Sequence, residues 1–261
     1  MKFFLYNIFM SKIHEIKNKF SKISDFLFPN HSCICCRKEN DSDSPYRICS
    51  RCFDKIPFTK DKFCLKCGEI INGDYDFCIT CKNKTYNFDY ARSVMAYNKT
   101  TAPIIMKFKY NGLKSFGLPL AHLLKDFYES SDLIANTVTF VPMPEEREKE
   151  RGYNQSKVLC EHFSFLTNIP MIDSLYRTRS LPKQSTLNSD DRAKNIKGSF
   201  KAINKHEIRG KEILLIDDVM TTGATASECA KVLLSAGAKN VQVLTLCKTP
   251  ALEVLKMSGE K

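Results

Sequence analysis

Two neighbouring carboxylates, Asp217 and Asp218, follow the apolar run Ile213-Leu-Leu-Ile216 and precede Thr221-Thr222-Gly223-Ala224-Thr225. Four consecutive apolar residues predict a strand buried on both faces, here ending in the acidic pair. A Thr/Gly turn then enters a helical pattern through Ala226, Ala230, Val232 and Leu233. Such a turn offers backbone N–H groups, hydroxyls and a favourable helix dipole to a phosphate. Gly223 permits positive φ and close approach of an anion to the backbone. Two carboxylates would repel a bare phosphate. They suit a ligand whose hydroxyls lie a few ångströms from its phosphate, a ribose 5-phosphate, with the carboxylates accepting from the hydroxyls and the turn holding the phosphate. The plainer reading is an Asp-capped strand with an ordinary glycine turn.

A second concentration of reactive groups is cysteine. Nine of the twelve lie between residues 33 and 81, including Cys33-x2-Cys36, Cys49-x2-Cys52, Cys64-x2-Cys67 and Cys78-x2-Cys81, with 12, 11 and 10 residues between pairs. A two-residue gap in a tight turn lets both thiolates reach one ion, and two such knuckles complete a tetrahedron. Sequential use of the pairs gives two structural Zn²⁺ sites. Interleaved use and disulfides are the alternatives, and Cys35 is left over, able to exchange with Cys36 or Cys33. The segment has too little apolar sequence for its own core, so metal would supply its folding energy. Cys160, Cys229 and Cys247 sit in apolar patterns and read as core residues.

The elements that must carry these groups follow from periodicity. Phe88 to Tyr97 reads as a strand. Thr101 to Tyr110 reads as a helix with Ile104, Ile105 and Phe108 on one face, ended by Asn111-Gly112, and Leu113 to Tyr128 as a second helix through Leu120, Leu123, Leu124 and Phe127. Val138 to Val141 is a strand stopped by Pro142 and Pro144, and residues 153 to 165 are helical. Residues 176 to 198 are polar and basic without an apolar period, a functional or mobile loop. Glu212 to Ile216, a helix to about Ala236, and Asn240 to Leu246 close the chain as strand-helix-strand. The alternation predicts an α/β fold with a parallel sheet and helices on both faces. Ahead of it, Ile13, Ile16, Phe20, Ile23 and Leu27 form an amphipathic basic helix, packed on the body or docked on a membrane or partner.

At 261 residues with 43% apolar content, the chain accommodates one full domain plus a small one. No run approaches the roughly eighteen apolar residues of a membrane span. The opening apolar stretch is broken by Asn7, and no small-residue cleavage site follows, so a cytoplasmic protein is expected. The formal charge of +11 favours polyanions, or reflects a Lys-rich composition on solvated helix faces. No G-x4-G-K-[ST] phosphate loop is present, which disfavours a free-standing DNA motor.

Together the four cysteine knuckles, Met106-Lys-Phe-Lys-Tyr-Asn-Gly112, Val141-Pro-Met-Pro144, Arg151-Gly-Tyr-Asn-Gln155, Arg177-x-Arg179, Gln184, Arg192-x2-Asn195-x2-Gly198-x-Phe200 and the turn Ile213 to Thr225 resemble the ComF family over roughly residues 25 to 248. The resemblance implies an N-terminal segment at 1–29, a double zinc ribbon at 30–87 and a type I phosphoribosyltransferase domain at 88–261. It implies binding of phosphoribosyl pyrophosphate (PRPP) with Mg²⁺. Asp217 and Asp218 would hold the ribose hydroxyls as the catalytic pair, Thr221, Thr222, Gly223, Ala224 and Thr225 the 5-phosphate, and Arg151, Asn154 and Gln155 would lie near the pyrophosphate. Arg177, Arg179, Lys183 and Arg192 would close over the site or face DNA. After Pro144, Glu145, Glu146, Glu148 and Glu150 outnumber Arg147 and Lys149, which weighs against pyrophosphate or DNA contact there. The implied role is in natural competence: helping single-stranded DNA enter the cytoplasm beside a separate helicase or ATPase, with peripheral contact to machinery at the inner membrane. A base-salvage phosphoribosyltransferase and a non-catalytic DNA-binding adaptor are the competing readings.

Overall fold

The computed structural model describes residues 32–60, 62–71, 73–110, 113–178 and 196–250. The amphipathic segment at 13 to 28, the Asn111-Gly112 stop and residues 179–195 of the basic loop lie outside the described residues. Two short helices belong to the cysteine region, α1 (Ser50–Phe53) and α2 (Ile79–Asn83). The main body runs β1 (Ala91–Ala96), α3 (Ala102–Tyr110), a 3₁₀ turn (Lys114–Phe116), α4 (Gly117–Glu129), β2 (Thr137–Phe140), α5 (Glu145–Arg151) and α6 (Gln155–Thr167). It continues with β3 (Leu175–Arg177), β4 (Phe200–Ala202), α7 (Lys205–Ile208), β5 (Glu212–Met220), α8 (Ala224–Ser235) and β6 (Asn240–Lys248).

The sheet order is β1-β6-β5-β2, and every pairing is parallel. Alternation along the strands divides the core in two. Leu214, Ile216, Leu244 and Leu246 pack with Ile104 and Phe108 of α3, Leu120 and Leu124 of α4, and Leu159 and Phe163 of α6. Ile213, Leu215, Val241 and Val243 pack on the other face with Ala226, Cys229, Ala230 and Leu233 of α8. Each such side chain removed from water contributes roughly 1.5–3 kcal/mol. Cys160, Cys229 and Cys247 are fully buried in these cores. Among the described residues no helix is long and apolar enough to cross a membrane.

One expected strand is longer than read, and two segments to which the sequence assigned no regular element have one. The central strand does not stop at the acidic pair. It continues to Met220 because β6 stays alongside, pairing Asp217 with Thr245, Val219 with Cys247 and Met220 with Lys248. The segment after Pro144 is a helix, α5, whose polar sequence gives no apolar period to read. The two ends of the basic loop are β3 and β4, joined as a two-stranded antiparallel ribbon. Three-residue strands carry too few residues for an alternation to be visible.

The cysteine knuckles are built into the same cores. Between them, Phe58 bridges Met95 of β1, Thr59 N–H donates to Val94 O at 2.9 Å and Ala96 N–H to Pro57 O at 2.9 Å. That linker covers the outer edge of β1, which blunts an otherwise open sheet edge. The first ribbon then lies on one face, where Cys33, Ile34, Ile48 and Ile56 join the α3–α4–α6 core. The second lies on the other, where Cys64, Cys67, Ile71 and Cys78 join the α8 core. A Cβ on Gly68, whose φ is +70°, would stand 2.7 Å from Ala91 O, so the second knuckle seats on β1 only with glycine there.

Candidate ribose-phosphate site and cysteine clusters

The carboxyl ends of β2 and β5, the Pro142–Pro144 segment and the start of α6 enclose a cleft of about 160 Å³. This is the place where open parallel sheets take ligands. Asp217 and Asp218 both line it. Asp217 Oδ1 accepts from Ser156 Oγ at 2.7 Å and from the Asp218 N–H at 2.9 Å. Asp218 Oδ2 lies 2.9 Å from Lys109 Nζ as an ion pair and receives no other aligned donor. Burial and the adjacent Asp218 charge push the Asp217 carboxyl up to about 7, against the pull of Ser156 and Lys109. Asp217 retains a little exposure at the cleft floor, although protein atoms surround it. Burial works to lower the Lys109 ammonium, but the two carboxylates outweigh it and raise its pKa, so the lysine stays charged.

The Arg151-Gly-Tyr-Asn-Gln155 segment places that lysine. Tyr153, buried, donates its hydroxyl to Phe108 O, and its ring lies 5.8 Å from that of Phe108. Gln155 Nε2 reaches Lys109 O at 3.5 Å. Asn154 is the N-cap of α6, accepting from Ser156 and Lys157 N–H, while its Nδ2 donates to Val141 O at 3.1 Å. Its polar atoms are thus engaged within the protein. Asn154 and Gln155 line the cleft, yet their bonds orient Ser156, Lys109 and Arg151.

Cations occupy the opposite wall. Arg147 and Arg151, one helical turn apart on α5, line the cleft with Arg177 of β3. Glu145, Glu146 and Glu150 are exposed on α5. Three of the four acidic side chains of this segment therefore face solvent, while Arg147 and Arg151 line the cleft. Arg151 is held by Gln155 Oε1 and Tyr110 Oη, each accepting at 3.1 Å, and stacks 4.7 Å from the Tyr110 ring centroid. Arg177 stacks on Phe200 at 5.2 Å, and its buried Nε has no hydrogen-bond partner among the described residues. No ion pair joins any of these arginines to a carboxylate among the described residues. Three guanidinium groups beside two carboxylates, with no ion pair to the arginines among the described residues, make a site for a ligand with a polyanionic end and a hydroxylated middle.

The Thr221–Gly223 turn joins β5 to α8. Gly223 is the N-cap of α8 with φ +74°, and a Cβ there would meet the Tyr86 ring at 2.9 Å. Thr225 lines the cleft; Thr221, Thr222, Gly223 and Ala224 adjoin it in sequence without forming its wall. Arg179, Lys183 and Arg192 lie outside the described residues. Sequence reading had missed Lys109 and Ser156 as site residues. Lys109 lies within the Met106 to Gly112 segment, and only the helix phase distinguishes it from Lys107 by pairing it with Asp218. Lys107 instead donates to Cys35 O at 2.9 Å.

The cysteines fall into two sets in sequential order. Cys33, Cys36, Cys49 and Cys52 have sulfurs within 4.8 Å of one another, and so do Cys64, Cys67, Cys78 and Cys81. Cys36 and Cys49 sulfurs lie 3.8 Å apart, and Cys67 and Cys78 sulfurs 3.7 Å. A tetrahedral zinc with bonds of about 2.3 Å has sulfur edges of about 3.8 Å. Both sets therefore fit structural zinc closed by four thiolates. Cys35 stands outside, its sulfur 3.9 Å from Thr100 O.

The comparisons with known proteins agree with this division. A double zinc ribbon domain matches residues 23–82, and a phosphoribosyl transferase domain matches residues 171–261. The chain is 28% identical over 228 residues to competence protein F of Haemophilus influenzae, covering 85% of this chain and 98% of that one. It is 29% identical over 208 residues to the DNA utilization protein YhgH of Escherichia coli, covering 77% and 90%. Among solved structures, glutamine PRPP amidotransferase of Bacillus subtilis matches 54% of this chain and 30% of that longer one, at 20% identity and a TM-score of 0.39.

Proposed function

We propose, for a chain that belongs to the ComF family of double zinc ribbons joined to a phosphoribosyltransferase domain, that the cleft binds PRPP and that the protein serves the handling of incoming single-stranded DNA in natural competence. One observation carries the PRPP reading: two carboxylates share one cleft beside a Thr/Gly turn with three arginines that form no ion pair with a carboxylate among the described residues. Asp217 and Asp218 would accept from the ribose 2- and 3-hydroxyls. The turn would take the 5-phosphate. Arg147, Arg151 and Arg177 would take the pyrophosphate, whose charge builds as its bond to C1 loosens.

Mg²⁺ bound with the ligand would neutralise part of that charge, and the hard carboxylate oxygens of Asp217 and Asp218 suit such an ion. Lys109 pairs with Asp218, and Ser156 fixes the face that Asp217 presents. The DNA part of the proposal rests on the names of the relatives, competence in one and DNA utilization in the other, and on the net charge of +11. A separate ATPase would move the strand, and the protein would meet it at the inner face of the membrane.

Calorimetric titration of PRPP with Mg²⁺, with and without a short single-stranded oligonucleotide, tests this. Micromolar binding, lost in the Asp217→Asn/Asp218→Asn variant and shifted by the oligonucleotide, is the expected result. PRPP affinity unchanged in that variant would remove the site. Oligonucleotide binding without PRPP binding would make the protein an adaptor.

A further inference from the structure

We propose that the second zinc ribbon aims the phosphate-binding turn, with Tyr86 and Lys248 as positioning residues that hold two consecutive carbonyls of that turn. Tyr86, five residues past Cys81, donates its hydroxyl to Thr222 O at 3.0 Å. Lys248, at the end of β6, donates to Thr221 O at 2.6 Å. Its ammonium also lies 3.6 Å from Glu69 Oε2, between Cys67 and Cys78 of the second ribbon. Lys248 and Glu69 are both buried, at 8% and 3% exposure, so this ion pair is shielded from solvent.

A trans peptide is planar, and its C=O and N–H point in opposite directions. Fixing Thr221 O therefore aims the Thr222 N–H the other way, and fixing Thr222 O does the same for the Gly223 N–H. Among the described residues neither N–H donates to a protein acceptor. Two adjacent amides turned outward from one clamp form the concave donor pair that anions occupy.

Tyr86 also fixes the turn sterically, since its ring fills the space a Gly223 Cβ would need. The ring is itself seated, stacking on Phe88 at 4.9 Å. Phe88 lies under Lys66 of the second knuckle, whose Nζ donates to Phe88 O at 2.6 Å and Asp89 O at 2.7 Å. The next residue, Asn87, grips the first turn of α8 through Ser227, with N–H and Nδ2 each 3.0 Å from Ser227 Oγ. The chain leaving the ribbon thus holds both the turn and the helix that follows it.

The inference rests on reading the turn as the 5-phosphate site, and its test separates the two. Tyr86→Phe keeps the ring and removes one hydroxyl; Lys248→Met removes the other donor. Ribose 5-phosphate and pyrophosphate are each titrated into the full-length variants, and amide exchange is followed over Met220 to Ser227. Ribose 5-phosphate affinity should fall about fivefold in each variant, with faster exchange in that segment. Pyrophosphate, held by the arginines, should bind within twofold of wild type.

Unchanged ribose 5-phosphate affinity together with unchanged exchange in Tyr86→Phe overturns the clamp, as does an equal loss for pyrophosphate. If the wild type binds no ribose 5-phosphate while exchange still quickens in the variant, the clamp stands and the reading of the turn falls.

Discussion

Lys109 forms an ion pair at 2.9 Å with Asp218, a residue of the cleft lining, and the two side chains are only 21% and 10% exposed. Two elements distant in sequence meet here, the end of α3 and the centre of β5. Removing one partner of a buried pair leaves an uncompensated charge, at a cost of about 3–5 kcal/mol when burial is complete. Partial exposure of Lys109 lowers that. Lys109→Met is expected to destabilise the protein by about 2 kcal/mol, measured by urea unfolding. Asp218→Asn in the same chain should recover most of the loss, because the stranded carboxylate is then gone. A double-mutant cycle with no coupling would show that the pair contributes nothing.

Asp217 makes stability pH-dependent with a definite sign. Its folded pKa, about 7, lies above the ordinary 3.8. Between those values the folded state holds more protons than the unfolded state, so stability declines as pH rises through the interval and stays lower above it. Asp217→Asn should match the wild type near pH 4 and exceed its melting temperature at pH 8. On the proposed reading of the cleft, the ribose hydroxyls of PRPP need the ionised carboxylate as acceptor, so PRPP affinity should rise between pH 6 and 8 with protons released on binding. Titration in buffers of different ionisation enthalpy reads that release directly.

Much of this was legible in the sequence, and the rest has identifiable causes. Ile213 to Ile216 could only be a doubly buried strand, and Ile104, Ile105 and Phe108 fixed the phase of α3. The knuckle spacing pointed to two metal sites, and the structure selected sequential over interleaved use of the pairs. What failed depended on partners. The strand runs past Asp218 because β6 pairs with it, and no local pattern of Asp217-Asp218-Val-Met encodes a neighbour. Glu145 to Glu150 looked hostile to an anion because composition carries no direction, whereas a helix turns Arg147 and Arg151 together. Asn154 looked like a ligand contact. The helix expected from residue 153 begins at Gln155 in the structure, so Asn154 is its N-cap and its side chain is engaged there. The division at residue 88 described the chain's composition, but the folded ribbons share both cores of the sheet.

That sharing changes what metal removal should do. Cys33, Cys49 and Cys52 are buried in one core cluster, and Cys64, Cys67 and Cys78 in the other. Metal analysis should return two zinc ions per chain. Chelation should shift one cooperative melting transition downward by at least about 10 °C, since metal-binding energy here is folding energy for the whole core. Separate early melting of the ribbons, followed by an unshifted transition of the sheet, would show that the two cores do not depend on their cysteines.

Arg151 should matter through its shape as well as its charge. Its guanidinium is fixed on three sides, by Gln155 Oε1, by Tyr110 Oη and by the Tyr110 ring. A lysine would keep the charge but lose the planar fork and the stacking surface, both suited to a diphosphate. Arg151→Lys is therefore expected to weaken pyrophosphate binding about tenfold, nearly as much as Arg151→Ala. Exposed acids on the same helix bear on the ligand only through screened solvent, so Glu146→Gln should change affinity less than twofold at physiological salt. The Arg147→Ala variant extends the comparison by one helical turn: Arg147 faces the same cleft, so its loss should also weaken pyrophosphate. If Arg151→Lys binds as tightly as the wild type, the cleft recognises charge alone. If Glu146→Gln tightens binding as strongly as Arg151→Ala weakens it, the helix acts as a diffuse field, and the separation of its acidic and basic faces has no part in recognition.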